Sequence, residues 1–283
     1  MDPDRGLLIG MSVCFLRDDL ETATRNVAEL GFEAIEVYGG HLTPGMPGVA
    51  AFEGHAEAAG TLIRRQGLVV STLNVVGMEG FDPFGGTAAF DATVALTAGH
   101  LRLAAALGSP RILVWEGRVA DVRDVPAACA TLSRCFEAAA AKSGLADPPR
   151  ISVELHPFTF GLAHRRVAEL SRALVGVGAG ICFDFCHFGV ALGSDLLTAI
   201  DDEVLPAINH VHYSDTDLVT SELHFPPGDG RLDLDAIGRR LKGRGLSMGW
   251  DLFGWPSPRQ AIETHMNQYR GFVRSHAASS GVV

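Results

Sequence analysis

Short apolar runs rich in β-branched residues alternate with longer segments of helical periodicity along the whole chain of 283 residues. The predicted strands are residues 8–13, 34–37, 68–73, 111–115, 151–155, 180–184, 208–213 and 247–252. The predicted helices are residues 19–30, 49–66, 88–107, 124–142, 162–175, 195–200, 233–242 and 258–274. Eight strand–helix units without a break in composition predict one α/β domain over residues 1–283, a single (β/α)8 TIM barrel, which typically needs about 250 residues.

Glycines at the predicted helix ends support this order of elements. Gly31, Gly67, Gly108, Gly144 and Gly243 each lie between a predicted helix and the next strand, where a left-handed residue commonly ends a helix. The alternative is a doubly wound open sheet, which more often has a glycine-rich phosphate loop after its first strand. No such loop follows the first predicted strand, so the sequence favours the closed barrel.

Charge and cysteine usage limit the partners and the location. The formal net charge of −10 argues against binding to nucleic acid, which needs a basic surface. The sequence contains no run of about 18 apolar residues, so no membrane span is expected. The first residues lack the pattern of a signal peptide, and an odd number of cysteines without a CxxC pair fits a reducing compartment. We therefore expect a cytoplasmic protein.

Acidic and imidazole side chains gather at the ends of the last four predicted strands. They are Glu154 and His156 in ISVELHP, Asp184 and His187 in ICFDFCHF, His210 and His212 in INHVHYSD, and Asp251 in SMGWDLFGW. The carboxyl ends of all strands in a parallel barrel meet at one mouth, where active sites lie. We therefore expect these side chains to approach one another.

Burying several carboxylates and imidazoles together is unfavourable unless a partner compensates their charge. One divalent cation would do so, and oxygen-rich ligands with an imidazole suit Mn²⁺ first, with Mg²⁺, Co²⁺ and Zn²⁺ as further candidates. Simpler interpretations stay open, because a strand-end aspartate can cap the next helix and a strand histidine can be a hydrogen-bonded core residue. Cys182 and Cys186 flank Asp184, so thiolate ligation of zinc is another alternative.

Motifs along nearly the whole chain resemble those of one known family. The segments are GFEAIEVYG, VELHP, FDFCH, HVHYSD and PGDGRLDLDAIGRRLKGRG, in this order. They are similar to segments of the xylose isomerase-like TIM barrels, which include sugar-phosphate isomerases and epimerases, ketose 3-epimerases, hydroxypyruvate isomerase and inosose dehydratase. The order and placement of these motifs are characteristic of the superfamily rather than of one activity. Homo-oligomers are frequent in it.

The resemblance implies roles for individual residues. Glu154, Asp184 and His212 match the first three metal ligands, and Asp251 stands where the family usually has a glutamate as the fourth. Among the other matching residues, His187 would face the substrate and His210 would orient its neighbours. Glu36 matches a glutamate at the rim that would contact the substrate. The shorter arm of aspartate puts direct ligation, and a second role as a proton-transfer base, in doubt.

Such a site predicts proton-transfer chemistry on a small molecule. A cation that holds adjacent carbonyl and hydroxyl oxygens acidifies the C–H between them and stabilises the enediolate. Glu154 is the candidate base, Asp251 its partner on the opposite face, and His187 the group that polarises or protonates a substrate oxygen. His156 is a further candidate acid or a hydrogen-bonded wall residue. The sequence thus predicts an isomerase or epimerase of a sugar or related hydroxy-ketone, and alternatively a lyase that removes water after the same first step.

The expected substrate is a neutral polyol or sugar-like molecule. Tyr38 and Trp115 are candidates for stacking on its ring, and Arg231 after GDG is the best candidate for binding an anion. Two other interpretations are weaker. A trinuclear zinc endonuclease of the same superfamily would need further ligands such as His41 and His100 and a basic face, and a non-catalytic barrel would not need the Glu154, Asp184 and His212 set.

Overall fold

The computed structural model describes residues 6–42, 53–77 and 80–277, and its strands form a closed parallel barrel in sequence order. The strands are β1 Ile9–Met11, β2 Ala34–Tyr38, β3 Val69–Asn74, β4 Arg111–Trp115, β5 Arg150–Glu154, β6 Gly180–Asp184, β7 Ile208–Tyr213 and β8 Met248–Trp250. β1 pairs with both β2 and β8, which closes the barrel. The predicted barrel is therefore confirmed, and the open sheet is excluded.

The α-helices of the described residues surround the strands. They are α1 Leu20–Glu29, α2 Glu53–Arg65, α3 Thr87–Leu107, α4 Val125–Ser143, α5 Phe160–Ala163, α6 Val167–Val175, α7 Phe185–Leu192, α8 Leu196–Ala199, α9 Leu234–Leu241 and α10 Pro258–Ala277. Residues 49–52 of the second predicted helix lie outside the described residues. No helix within the described ranges combines the length and apolar character needed to cross a membrane.

Two predicted helices differ from the observed ones. The helix predicted at residues 195–200 is only the short α8, because α7 begins directly after β6. Asp184 accepts a hydrogen bond from the backbone N–H of His187 and so starts α7 at the end of the strand. The helix predicted at 162–175 is divided into α5 and α6, between which Arg165 has a positive φ of 54°.

Local signals explain the longer helices well. Asp124 caps α4 by accepting a hydrogen bond from the N–H of Ala127, and Gly144 ends the same helix with a φ of 72°. Gly108 ends α3 in the same way with a φ of 86°. A glycine is required at both helix ends because other residues are strained in the left-handed region.

The last helix secures the closure of the barrel. The hydroxyl of Tyr269 on α10 accepts a hydrogen bond from the N–H of Ile9 at 3.0 Å and lies 2.6 Å from the carbonyl oxygen of Met248. It therefore contacts the two strands that meet at the seam, β1 and β8. The closed barrel brings the carboxyl ends of its strands to one mouth, and this positions the site.

Candidate metal centre

Four side chains from consecutive strands converge at the buried end of the barrel mouth. Glu154, Asp184, His212 and Asp251 each place one potential ligand atom within 4.8 Å of the others, and all four are buried. The Nδ1 atom of His212 lies 2.6 Å from Glu154 Oε1, 3.4 Å from Asp184 Oδ2 and 3.5 Å from Asp251 Oδ2. The structure thus brings together the four residues predicted as metal ligands.

Strand register accounts for this convergence. Asp184 is the last residue of β6 and pairs with His212 on β7, while Glu154 ends β5 and pairs with Cys182 on β6. Asp251 follows the last residue of β8. Because neighbouring parallel strands carry these residues to the same height, their side chains meet without any long loop.

The donor set fits a divalent cation. Asp184 Oδ2 and His212 Nδ1 are buried and have no hydrogen-bond partner among the described residues, although carboxylate oxygens lie close by. Both atoms belong to the group of four whose potential ligand atoms lie within 4.8 Å of one another, so they face the same small space. Three carboxylates and one imidazole are ligands that Mn²⁺, Mg²⁺, Co²⁺ and Zn²⁺ accept.

The charges in the cluster are strongly coupled. Burial opposes ionisation of Glu154, but the positive charges of His212 and His156 outweigh it and hold the carboxyl pKa well below its usual range. Burial likewise opposes ionisation of Asp184, and His187, His224 and His212 lower its pKa. Both carboxylates are therefore ionised at neutral pH and available as ligands.

Glu36 lies behind His212 rather than in the substrate cavity. Its Oε1 and Oε2 lie 3.2 and 3.3 Å from His212 Nε2, and its Oε2 lies 2.8 Å from His210 Nε2. The Asn74 side chain donates a further hydrogen bond to Glu36 Oε1 at 2.8 Å. Both oxygens of Glu36 face these partners, and Glu36, predicted to contact the substrate, is not among the residues that line the cavity.

Three further histidines surround the cluster on the cavity side. His156 Nε2 lies 3.3 Å from Glu154 Oε2, and its ring packs on that of His187 with 4.0 Å between centroids. His187 Nε2 lies 3.3 Å from His224 Nε2, and His224 Nδ1 lies 3.1 Å from Asp251 Oδ2. These histidines form a continuous band from Glu154 to Asp251.

The protonation states of this band differ. Burial opposes protonation of His156, but Glu154 and Glu222 raise its pKa to about 10. Burial also opposes protonation of His224, but the negative charges of Asp251 and Asp184 outweigh this effect and raise its pKa well above the usual range. Burial lowers the pKa of His187 to about 4, so His187 is neutral at neutral pH and has one ring N–H to donate.

Sequence reasoning did not identify His224 or Glu116. His224 lies in the loop after β7, which folds back through an antiparallel bridge between Asp215 and Phe225. Glu116 follows β4 and is fully buried; its Oε1 accepts a hydrogen bond from the N–H of Gly161. The position of Glu116 just after a strand was an available signal, whereas nothing in the local pattern around His224 indicated its place.

Other potential ligand groups are less suited to a cation. Cys182, His210 and His212 also lie within 4.8 Å of one another, but burial raises the pKa of the Cys182 thiol to about 12, which disfavours a thiolate. Cys186 instead contacts backbone carbonyls such as that of Thr220 at 3.6 Å. Asp184, His187 and His224 form another group, which shares Asp184 with the main cluster.

The ligands required by the endonuclease hypothesis lie elsewhere. His41 Nδ1 lies 3.0 Å from the hydroxyl of Ser12, and His100 is buried in α3. Neither belongs to any potential metal-binding group found among the described residues.

A cavity of about 340 Å³ opens above the cluster. Its lining includes Glu154, Asp251 and the three histidines of the band. The other lining residues are Val13, Leu16, Tyr38, Asn74, Val76, Gly77, Trp115, Phe158, Glu222 and Phe253. Tyr38, Trp115 and His187, which were predicted to contact the substrate, line this cavity, whereas Arg231, predicted to bind an anion, is exposed and outside the lining.

Comparison with known proteins agrees with this architecture. A D-tagatose 3-epimerase-like protein is 18% identical with a TM-score of 0.71, covering 96% of this chain and 100% of its own. The probable 3-DHS dehydratase AsbF, involved in petrobactin synthesis in Bacillus anthracis, is 16% identical with a TM-score of 0.69, covering 92% and 97%. The IOLI protein, whose structure has a bound zinc atom, is 18% identical with a TM-score of 0.69, covering 95% and 99%.

Identities this low show a shared fold and not a shared reaction. No curated protein matches the sequence. The model of the xylose isomerase-like TIM barrel family, however, matches residues 24–272 and so includes all eight residues of the cluster, the band and Glu36. The resemblance seen in the sequence motifs is thereby confirmed, and the chain belongs to the xylose isomerase-like TIM barrel family.

Proposed function

We propose that this chain is a divalent-metal-dependent isomerase or epimerase of a sugar or related hydroxy-ketone. The convergence of Glu154, Asp184, His212 and Asp251 beneath a cavity carries the proposal. A divalent cation there would act as a Lewis acid that polarises neighbouring carbonyl and hydroxyl oxygens and so acidifies the adjacent C–H. Mn²⁺ is the first candidate, and the cytoplasm is the proposed location.

Glu154 is the proposed base. It is ionised at neutral pH, it lines the cavity, and its Oε2 faces His156 rather than the other carboxylates. The imidazolium of His156 holds the orientation of this oxygen, which can then accept a proton from a carbon beside it. His187 would donate its ring N–H to a substrate oxygen on the same side of the cavity.

Asp251 is less available as a second base. Its Oδ1 accepts a hydrogen bond from the N–H of Phe253 at 2.7 Å, and its Oδ2 lies 3.1 Å from His224 Nδ1. Because Oδ1 already accepts a backbone N–H, only one oxygen of Asp251 remains to bind a cation or accept a proton, and the arrangement favours reactions that need one base. Isomerisation between neighbouring carbons needs one base, whereas epimerisation needs a second group on the opposite face.

The same observation favours a lyase as the second candidate. Elimination of water begins with proton removal by one base and is completed when an acid protonates the leaving hydroxyl. His224, held protonated by Asp251 and Asp184, lines the cavity and could supply that proton. The similarity to a probable 3-DHS dehydratase agrees with this reading but shows only the fold.

The test begins with metal content measured by inductively coupled plasma mass spectrometry on protein purified without a metal-affinity tag. The metal-loaded protein is then incubated with ketoses and cyclitols in D2O and the products are followed by NMR and mass spectrometry. Deuterium incorporation with an unchanged carbon skeleton supports an isomerase or epimerase, and loss of water supports the lyase. Glu154→Gln should abolish either reaction, while Glu57→Gln on the exposed face of α2 should not. A wild type that binds no Mn²⁺ or Co²⁺ contradicts the proposal.

A further inference from the structure

The wall of the cavity has apolar side chains at its mouth as well as charged ones at its buried end. Its apolar side chains come from several strand ends: Val13, Leu16, Val76, Trp115, Phe158 and Phe253. Leu16 and Phe158 are 47% and 41% exposed, which places them at the mouth, whereas Glu154 and Asp251 are each 4% exposed. The cavity therefore has a charged buried end and an apolar outer part.

Two aromatic rings give this outer part a defined shape. Trp115 and Phe158 meet edge to face, with 6.4 Å between ring centroids and planes at 78°. Phe158 also packs on the ring of His156 at 5.0 Å. Phe158 is exposed and Trp115 is half-buried, and aromatic side chains held in this way in the wall of a cavity are suited to contact an apolar or planar group of a ligand.

No lysine or arginine lines the cavity among the described residues. Arg118 lies 5.8 Å from the centre of the Trp115 ring, but it is exposed and outside the lining. The sequences of residues 43–52 and 78–79 contain no lysine or arginine either. A phosphate or carboxylate is normally bound by such cations, and here Glu222 adds a further carboxylate to the wall instead.

Polar groups for binding many hydroxyls are few. Outside the cluster and its histidines, the polar groups of the lining are the side chains of Tyr38, Asn74 and Glu222 and the indole N–H of Trp115. Asn74 donates to Glu36 and accepts the N–H of Val76, so its amide is already engaged. A free sugar has a hydroxyl on nearly every carbon, and each needs a partner when it is buried.

The geometry points to an uncharged hydroxy-ketone with an apolar substituent as the substrate, rather than a free or phosphorylated sugar. The hydroxy-carbonyl end lies at the cluster and the substituent lies against Trp115 and Phe158. This inference rests on the proposed function, since it assigns the hydroxy-carbonyl end to the metal centre. It goes further by naming what the rest of the molecule must be.

Binding calorimetry on the Mn²⁺-loaded protein tests the inference with three probes that share one hydroxy-ketone group. They are dihydroxyacetone, dihydroxyacetone phosphate and 2-hydroxyacetophenone. Burial of the phenyl ring should make 2-hydroxyacetophenone bind about tenfold more tightly than dihydroxyacetone. Phe158→Ala should remove most of that advantage. Val175→Ala, which shortens a similarly exposed apolar residue at the end of α6, should leave it intact.

The outcomes separate this inference from the proposed function when deuterium exchange of each probe is measured alongside. Preferred binding of 2-hydroxyacetophenone supports the inference, whether or not its C–H exchanges. Absence of deuterium exchange with all three probes would count against the proposed function alone. Equal or tighter binding of dihydroxyacetone phosphate would overturn the inference, and metal-dependent exchange of that probe would leave the proposed function standing. A loaded protein that binds none of the three probes would also overturn the inference.

Discussion

Glu36 lies on the Nε2 side of the His212 ring at 3.2 Å, while Nδ1 of the same ring faces the carboxylates of the cluster. A carboxylate on one ring nitrogen of a ligating histidine fixes its tautomer and its orientation. His210 and Asn74 hold Glu36 in turn, each with a contact of 2.8 Å. The orientation of His212 therefore depends on Glu36, which does not line the cavity.

Glu36→Gln should weaken the metal affinity about 10- to 100-fold, the usual effect of losing a carboxylate behind a ligating histidine. The amide keeps the shape of the side chain but loses the charge that fixes the ring. Competition with a fluorescent chelator measures the affinity. Glu57→Gln on the surface of α2 makes the same chemical change away from the site and should have no effect. Equal affinity of Glu36→Gln and wild type would show that His212 is oriented without Glu36.

The four clustered residues could be predicted because they belong to regular strands. An apolar strand that ends in a carboxylate or imidazole reveals both the end of the strand and the side of the barrel on which the residue lies. Glu154 and Asp184 end their strands, His212 is the last residue but one of β7, and Asp251 directly follows β8. Their convergence therefore needs only the closure of the barrel.

The remainder of the site depends on contacts between distant segments. His224 reaches Asp251 only because its loop folds back beside Asp215, whose carboxylate accepts the N–H groups of Gly228 and Gly230. Glu36 was expected at the rim from its position on β2, but its neighbours on β3 and β7 engage it. Local periodicity contains no information about such partners. The start of α7 directly after Asp184 is not predicted either, because it depends on a side-chain hydrogen bond and not on periodicity.

Asp184→Asn should remove the bound metal while α7 remains formed. Asn is as good a helix cap as Asp, so the hydrogen bond from the N–H of His187 is retained, but the ligand charge is lost. Metal content and helical circular dichroism measure the two effects. Asp124→Asn makes the same change at the cap of α4 and should alter neither. Full metal retention in Asp184→Asn would exclude this residue as a ligand.

Tyr269→Phe should lower the free energy of unfolding by about 1–3 kcal/mol, because it leaves buried backbone groups of β1 and β8 without their partner. Tyr213 provides a matched control. Its hydroxyl is buried but has no hydrogen-bond partner among the described residues, so Tyr213→Phe should be neutral or slightly stabilising. Urea denaturation measures both variants. Similar losses in the two would show that the hydroxyl of Tyr269 does not secure the closure.

Glu116 predicts a loss of stability as the pH rises from about 4.5 to about 8. Burial raises its pKa from the ordinary 4.5 to about 8, even though hydrogen bonds from Thr159 and Gly161 favour the charged form. Its Oε2 is buried without a hydrogen-bond partner among the described residues. The folded chain therefore keeps a proton that the unfolded chain releases above pH 4.5. The resulting stabilisation is complete below that pH and is lost as the pH rises through about 8.

Glu116→Gln should reduce this pH-dependent loss, since the amide still accepts the N–H of Gly161 and cannot ionise. Between about pH 5 and pH 9, the wild type should lose on the order of a few kcal/mol more free energy of unfolding than the variant. Urea denaturation at both pH values measures the difference, with Glu137→Gln on the exposed face of α4 as the control. Parallel pH profiles for wild type and Glu116→Gln would mean that Glu116 is already ionised in the folded protein. In that case its carboxylate must have a partner beyond Gly161 and Thr159, and the contact between Glu116 and α5 would depend on that partner rather than on a retained proton.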